Sequence, residues 1–234
     1  MFEKGWARLA DRGRRKFGAA RTCGVTRSPE AIEPFAKSIS PELWSEAAAF
    51  AENLRKKGAT KLAVLPVKLG GGGRYDLLYF LTRFLRPRVV VETGVAAGYS
   101  TQAILKAIQV NGSGCLYSSD FPYFRLDQPE QYIGILVDDD LKANWELFIQ
   151  GDAKNLRQIA SKIDRVDLIH YDSDKTYRGR KSALKILQPL LSQNAVIVMD
   201  DIQDNSFFYD YVRDTTRSWH VFDAGGKLVG LIGL

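Results

Sequence analysis

From Val89 onward, short and nearly continuous apolar runs alternate with segments of helical period. Val89-Val90-Val91, Leu116-Tyr117-Ser118-Ser119, Glu146-Leu147-Phe148-Ile149, Val166 to Tyr171 and Ala195 to Met199 read as five strands. Helices are predicted between and after them, over about 99–108, over 153–162, up to Leu191, and through Tyr209 and Val212. Strands that are apolar on both sides belong to a parallel sheet covered on both faces. Trp219 to Phe222 and Leu228 to Ile232 flank Gly225-Gly226 and read as an antiparallel pair closing the chain. The fold class is therefore α/β, a doubly wound, mostly parallel sheet.

The chain before Pro87 has a different texture. Residues 1–18 place Phe2, Trp6, Leu9 and Phe17 on one helical face and Lys4, Arg8, Arg12 and Arg15 on the other. Such a helix either packs on the body or on a second subunit, as in a homodimer, or rests on an anionic membrane surface or an acidic partner. Four anchors with Gly13 among them grip a membrane weakly, which favours packing. Residues 19–39 read as a connector. Ser40-Pro41-Glu42 has the cap, proline and acid of a helix start, and that helix is expected to run to about Lys57. Gly70 to Gly73 is too flexible for a regular element. Leu77, Leu78, Phe80, Leu81, Phe84 and Leu85 then form a helix that Arg86-Pro87 stops. This divides the chain into an N-terminal helical extension, 1–74, and a catalytic or binding domain, 75–234.

Composition narrows the chemistry. The 234 residues are 45% hydrophobic, yet no run reaches the roughly 18 apolar residues of a membrane span. The N-terminus lacks the apolar core of a secretory signal, and Cys23 and Cys115 cannot build a disulfide framework, so a cytoplasmic location is expected. Two histidines, His170 and His220, are too few for a zinc hydrolase or a two-histidine iron site. Any metal is therefore expected to be a hard ion held mainly by carboxylates. The net charge is +6, and residues 1–27 carry all of it, with eight basic side chains against Glu3 and Asp11. The body is neutral and has no basic stripe, so nucleic acid is not an expected partner.

In open parallel sheets, ligands bind beyond the carboxyl ends of the strands. Here those ends read Glu92-Thr93-Gly94-Val95-Ala96-Ala97-Gly98-Tyr99-Ser100, Asp120, Gly151-Asp152-Ala153, Asp172-Ser173-Asp174-Lys175 and Asp200-Asp201. One such acid is ordinarily a helix cap. Five outlets carrying acid on one edge imply something cationic among them, because like charges held together repel. An organic ligand bearing ammonium and sulfonium groups would serve, as would a divalent metal. Gly94 and Gly98 would admit a ligand close to backbone, and Asp120 stands where a carboxylate could take a ribose diol.

Glu92–Ser100, Trp145 to Asp152, Asp167–Tyr177 and Val196–Asp201 together resemble the class I S-adenosylmethionine-dependent methyltransferases. The nearer likeness is to the bacterial branch akin to the catechol and caffeoyl-CoA O-methyltransferases, over roughly residues 75–234. The resemblance implies a Rossmann-like seven-stranded sheet with an antiparallel last strand. It implies that Glu92, Gly94, Gly98 and Ser100 line the methionine end of the cofactor and that Asp120 takes the ribose. Asp152 and Ala153 would then lie near the adenine, with Asp172 also on the cofactor's side. Metal-dependent members imply a divalent cation, Mg2+ first and Ca2+ or Mn2+ as alternatives, on Asp172, Asp200 and Asp201. Asp201 replaces an asparagine usual in the plant and animal enzymes. Lys175 matches the family's general base, so Lys175 and Asp172 are the expected catalytic pair. The implied reaction is O-methylation of a small-molecule hydroxyl.

Two rival readings remain. Thr93-Gly94-x-x-x-Gly98 and Tyr177-x-x-x-Lys181 mimic a short-chain dehydrogenase using NAD(P). Against this, Ser100 stands for the third glycine and the tyrosine follows strand four rather than strand five. The other rival is a non-catalytic binding module of the same fold. The acceptor is not legible: Phe207, Phe208, Tyr209, Tyr211, Tyr123 and Phe124 suit either a pocket or the core, and residues 121–144 suit a lid or a substrate wall.

Overall fold

The computed structural model describes residues 28–67, 69, 71–122 and 126–234. The basic segment 1–18 and the pair Tyr123-Phe124 lie outside them. Three helices come first: α1 (Ile32–Ile39), α2 (Pro41–Ala63) and α3 (Tyr75–Leu85). The alternating region follows as β1 (Val89–Thr93), α4 (Tyr99–Asn111), β2 (Cys115–Ser119), β3 (Trp145–Phe148), α5 (Asp152–Lys162) and β4 (Val166–Tyr171). It ends with α6 (Tyr177–Leu187), β5 (Leu191–Met199), α7 (Phe207–Arg213), β6 (Trp219–Asp223) and β7 (Leu228–Ile232). The seven strands form one sheet in the order β3-β2-β1-β4-β5-β7-β6, in which β7 alone runs antiparallel to its neighbours.

The sheet buries both faces, and the strand period of two divides them. Val90, Leu168, Val196 and Val198 pack with α1 to α4 in one core, while Val91, Ile169, Ile197 and Met199 pack with α5 to α7 in the other. Phe207 and Phe208 are buried in this second core, with Tyr209 and Tyr211 packed against it, so the aromatics after β5 are structural.

Three expected boundaries change. The connector 19–39 contains a helix, α1, because Ile32 and Ala36 at helical spacing bury against the first core, and Glu30 adds a bridge to Phe222. Helix α2 continues past Lys57 to Ala63, and Gly58 within it fits beneath the Tyr99 ring, where a Cβ would collide. Helix α6 stops at Leu187, and β5 begins at Leu191, four residues before the apolar run. The Ser40 cap is as expected, its hydroxyl accepting from the Leu43 N–H at 3.3 Å. The segment after β2 is held down where it is described: Gly134 and Leu136 donate to the Ala96 and Ala97 carbonyls at 2.9 Å. None of the described helices is long and apolar enough to cross a membrane.

Candidate active site

The same period of two sorts the strand-end acids. Positions 90, 168, 196 and 198 face α1 to α4, so Glu92, His170, Asp172 and Asp200 follow them onto that face. The backbone ladder extends far enough to hold the alternation: the Asp172 N–H donates to the Thr93 carbonyl at 2.9 Å and the Asp200 N–H to that of Tyr171 at 3.0 Å. Asp201 falls on the other parity, and its φ of 52° turns the chain out of the strand.

Ser118, Glu92 and His170 stand side by side in register across β2, β1 and β4. Glu92 is fully buried and accepts from the hydroxyls of Thr101 at 2.7 Å and Ser118 at 2.8 Å. Its other oxygen lies 3.4 Å from His170 Nδ1. The opposite ring nitrogen, His170 Nε2, is buried without a hydrogen-bond partner among the described residues. Burial alone would lower the His170 pKa, but Glu92, Asp172 and Asp200 outweigh it and the pKa is raised. Asp200 moves upward as well, because it is desolvated beside Asp172. His170, Asp172 and Asp200 each offer a ligand atom, all within 4.8 Å of one another. A loop closes over them: a Cβ on Gly73, whose φ is +55°, would meet Asp200 Oδ2 at 2.5 Å and His170 Nε2 at 3.6 Å.

Lys175 lies between Asp172 and Asp201, bonded to the former and 2.6 Å from Asp201 Oδ2. Burial works against its charge, yet the two carboxylates raise its pKa, so it holds its proton. Asp201 is desolvated too, but Lys175, Gln203 and Lys227 hold its pKa down to about 2. The third expected metal ligand is thus engaged by two lysines and is not brought into the group formed by His170, Asp172 and Asp200.

The glycine loop is organised by Asp120, whose Oδ2 accepts from the N–H groups of Val95 at 2.9 Å and Ala96 at 2.8 Å. Burial raises its pKa against those bonds and the one from the Phe121 N–H. A carboxylate has about four acceptor sites, so part of its capacity is left for a ligand hydroxyl. Gly94 and Gly98 have φ of 87° and 94°, and the space of their missing Cβ atoms is filled by protein: Asp172 O at 2.6 Å and Gly134 Cα at 2.8 Å. Their first role is thus to let two loops meet. Ser100 is buried at the start of α4, under Gly72.

Asp152 is the first residue of α5, and its two oxygens accept from Ser119 at 2.7 Å and Ser173 at 2.5 Å, tying three strand ends together. Ala153 next to it is exposed. Asn155, fully buried, donates to Ser119 Oγ and to the carbonyls of Phe148 and Asp120, and accepts from the Gln150 N–H. Arg180, also fully buried, donates from Nη2 to the carbonyls of Asp200 and Asp201, each at 2.8 Å.

Sequence reasoning missed His170, Asn155, Arg180 and Gly73. His170 carried a signal, since His170-Tyr171-Asp172 is a His-x-Asp pair on one side of a strand. The other three depend on contacts between distant segments and carried none. The dehydrogenase reading loses its tyrosine, because Tyr177 opens α6 directly after β4.

A seven-stranded sheet of this order, with acids gathered at the strand ends, is a Rossmann-like fold shared with solved methyltransferase structures. Residues 91–202 match the family model of a methyltransferase domain, a segment that holds all five strand-end motifs. No curated protein sequence matches the chain. Solved structures of similar fold include a methyltransferase from Geobacter sulfurreducens, 18% identical, covering 92% of this chain and 95% of its own, with a TM-score of 0.56. An O-methyltransferase from Bacillus cereus in complex with SAH is 17% identical, covers 87% and 97%, and has a TM-score of 0.56. The O-methyltransferase TomG of Streptomyces achromogenes, involved in tomaymycin synthesis and solved with SAM, is 14% identical, covers 95% and 98%, and has a TM-score of 0.57.

Proposed function

We propose that this protein is an S-adenosylmethionine-dependent O-methyltransferase that acts on a small hydroxylated molecule with the help of a divalent cation. The observation that carries the reading is the row of acids at the outlets of β1, β2, β3, β4 and β5, within the segment that matches a methyltransferase domain. Asp172 and Asp200 converge, and burial raises the pKa of Asp200. Two carboxylates crowded in this way fit a hard or borderline dication.

When bound, the cosubstrate supplies an electrophilic methyl on sulfur, and the cation makes an acceptor hydroxyl more acidic. The remaining work belongs to the chain. Asp120 holds the 95–96 backbone in one conformation, and Glu92 and Asp152 brace the neighbouring strand ends. Asp120 and Asp152 are the groups for the ribose and adenine ends, and Gly94, Gly98 and Ser100 shape the methionine end. Lys175, poised between Asp172 and Asp201, is the group that exchanges a proton at the acceptor oxygen. It is charged in this arrangement, so a base role requires a second positive charge near Asp172 to lower its pKa. The acceleration then rests chiefly on alignment and charge.

The test is calorimetric titration with S-adenosylhomocysteine and, separately, NADH, followed by S-adenosylhomocysteine release over a panel of hydroxylated compounds with and without chelator. The expected result is binding of S-adenosylhomocysteine and chelator-sensitive turnover, which Asp172→Asn and Asp200→Asn abolish with cofactor binding retained. Binding of NADH alone would overturn the reading, and turnover unchanged in both variants would remove the metal.

A further inference from the structure

We infer that His170 is a ligand in a one-histidine, two-carboxylate metal site with Asp172 and Asp200, oriented by Glu92, and that the site takes a divalent first-row transition ion. The inference rests on the reading that these acids hold a cation, and it changes which atoms hold it and which ion they select.

Four observations carry it. His170 is 1% exposed and its Nε2 has no partner among the described residues, a costly condition for a buried polar atom unless something outside the chain satisfies it. That nitrogen faces the same point as Asp200 Oδ2, because one atom placed on Gly73 would approach both. The three ligand atoms lie within 4.8 Å of one another, and donors across a single ion with bonds of about 2.0–2.4 Å are separated by up to about 4–5 Å. Finally, Nδ1 faces the buried Glu92 carboxylate at 3.4 Å. A proton on Nδ1 directed at Glu92 leaves the Nε2 lone pair pointing at the acids, the arrangement by which carboxylates orient metal-binding imidazoles.

Asp201 is a poorer third ligand. It lies on the opposite strand parity, and Lys175 and Lys227 engage its oxygens. A nitrogen donor in its place shifts selectivity from Mg2+ and Ca2+ toward Mn2+, Fe2+, Co2+ or Zn2+.

The probe is Mn2+ added to metal-stripped full-length protein. Binding is followed by the free-ion electron paramagnetic resonance signal, and the bound ion by electron spin echo modulation, which detects a coordinated imidazole nitrogen. The expected result is nitrogen modulation in the wild type and its loss in His170→Gln, with affinity for Mn2+ falling by at least about tenfold while Mg2+ affinity changes far less. Glu92→Gln keeps the modulation but weakens Mn2+ binding, and Asp201→Asn keeps it too. Bound Mn2+ without nitrogen modulation, or no Mn2+ bound at all, would overturn the inference. If His170→Gln fails to fold, the wild-type spectrum decides alone. The methyltransferase reading is judged separately by S-adenosylhomocysteine calorimetry: cofactor binding with a nitrogen-free Mn2+ site sinks only this inference, and a nitrogen-coupled site without cofactor binding sinks only that reading.

Discussion

Glu92 and His170 are register partners on β1 and β4, both buried, with Oε1 and Nδ1 3.4 Å apart. Their row continues to Ser118, whose hydroxyl donates to Glu92 and accepts from Trp145 Nε1 at 2.9 Å. A buried carboxylate is tolerated only while these partners satisfy it. Glu92→Gln replaces one carboxylate oxygen by an NH2, which then faces either the two hydroxyl donors or the imidazole nitrogen in place of an acceptor. The expected cost is about 2–4 kcal/mol, read as a lower urea midpoint with an unchanged slope. A midpoint equal to the wild type would mean that the row is not a stabilising unit.

Asp201 gives a prediction with a defined pH window. Its pKa is lowered to about 2 because Lys175 and its neighbours outweigh burial. A depressed carboxylate contributes stability that is complete above its unfolded pKa, about 3.8, and fades as pH falls toward 2. With solvent screening, the contribution is about 1–2 kcal/mol. Asp201→Asn should therefore destabilise the metal-free protein by that amount at pH 7 and by almost nothing near pH 2. Paired urea titrations at pH 7, 4 and 2.5 measure the gap, and a gap of constant size across them contradicts the ion-pair account.

How much of this was legible follows from where the information lies along the chain. Val89 to Val91 or Val166 to Tyr171 reveals a buried strand because three to six consecutive side chains carry the signal, and the alternation of such runs with helices gives the sheet. The acids at the strand ends were legible for the same reason, since Asp120, Asp172 and Asp200 directly follow their strands, Glu92 is the next-to-last residue of β1 and Asp152 opens the helix after β3. Ion selection was not. His170 sits in the apolar run of β4, where its His-x-Asp pairing with Asp172 is the one local signal, and only the register between strands sets it beside Glu92. Helix α1 was hidden because its buried residues, Ile32 and Ala36, span little more than one turn. Asn155 and Arg180 join separate segments, up to 36 residues apart for Asn155 and 21 for Arg180, a relation that no local pattern carries.

Gly73 tests whether the loop at residues 71–73 belongs to the site. Its φ of +55° disfavours any side chain, and a methyl there would press on Asp200 Oδ2 at 2.5 Å. Gly73→Ala should cost about 1–2 kcal/mol in stability and weaken cation binding about tenfold or more, because it disturbs the surroundings of the ligand atoms. Gly71→Ala is the control, since nothing lies within 4 Å of its Cβ direction. Melting temperature and Mn2+ titration of both variants separate the effects. Equal cation affinity in the two would mean that the loop merely lies nearby.

Arg180 holds the turn from which Asp200 and Asp201 project. Its Nη2 bridges both of their carbonyls at 2.8 Å, the side chain is fully buried, and desolvation lowers its pKa. Asp201 has φ of 52° at that turn, a left-handed conformation that a non-glycine residue keeps only when its surroundings impose it. Arg180→Lys has a shorter side chain, so its ammonium falls short of the position from which Nη2 bridges both carbonyls. Arg180→Met fills the volume and reaches neither. The expected loss is about 1–2 kcal/mol for the lysine variant and about 2–4 kcal/mol for methionine. Amide hydrogen exchange at residues 200–202 should accelerate in the same order. Because the hydrogen bonds of Arg180 go to the backbone of the turn, both variants should keep S-adenosylhomocysteine affinity while weakening cation binding. Unaltered exchange at 200–202 in Arg180→Met would show that the turn holds its shape without the arginine.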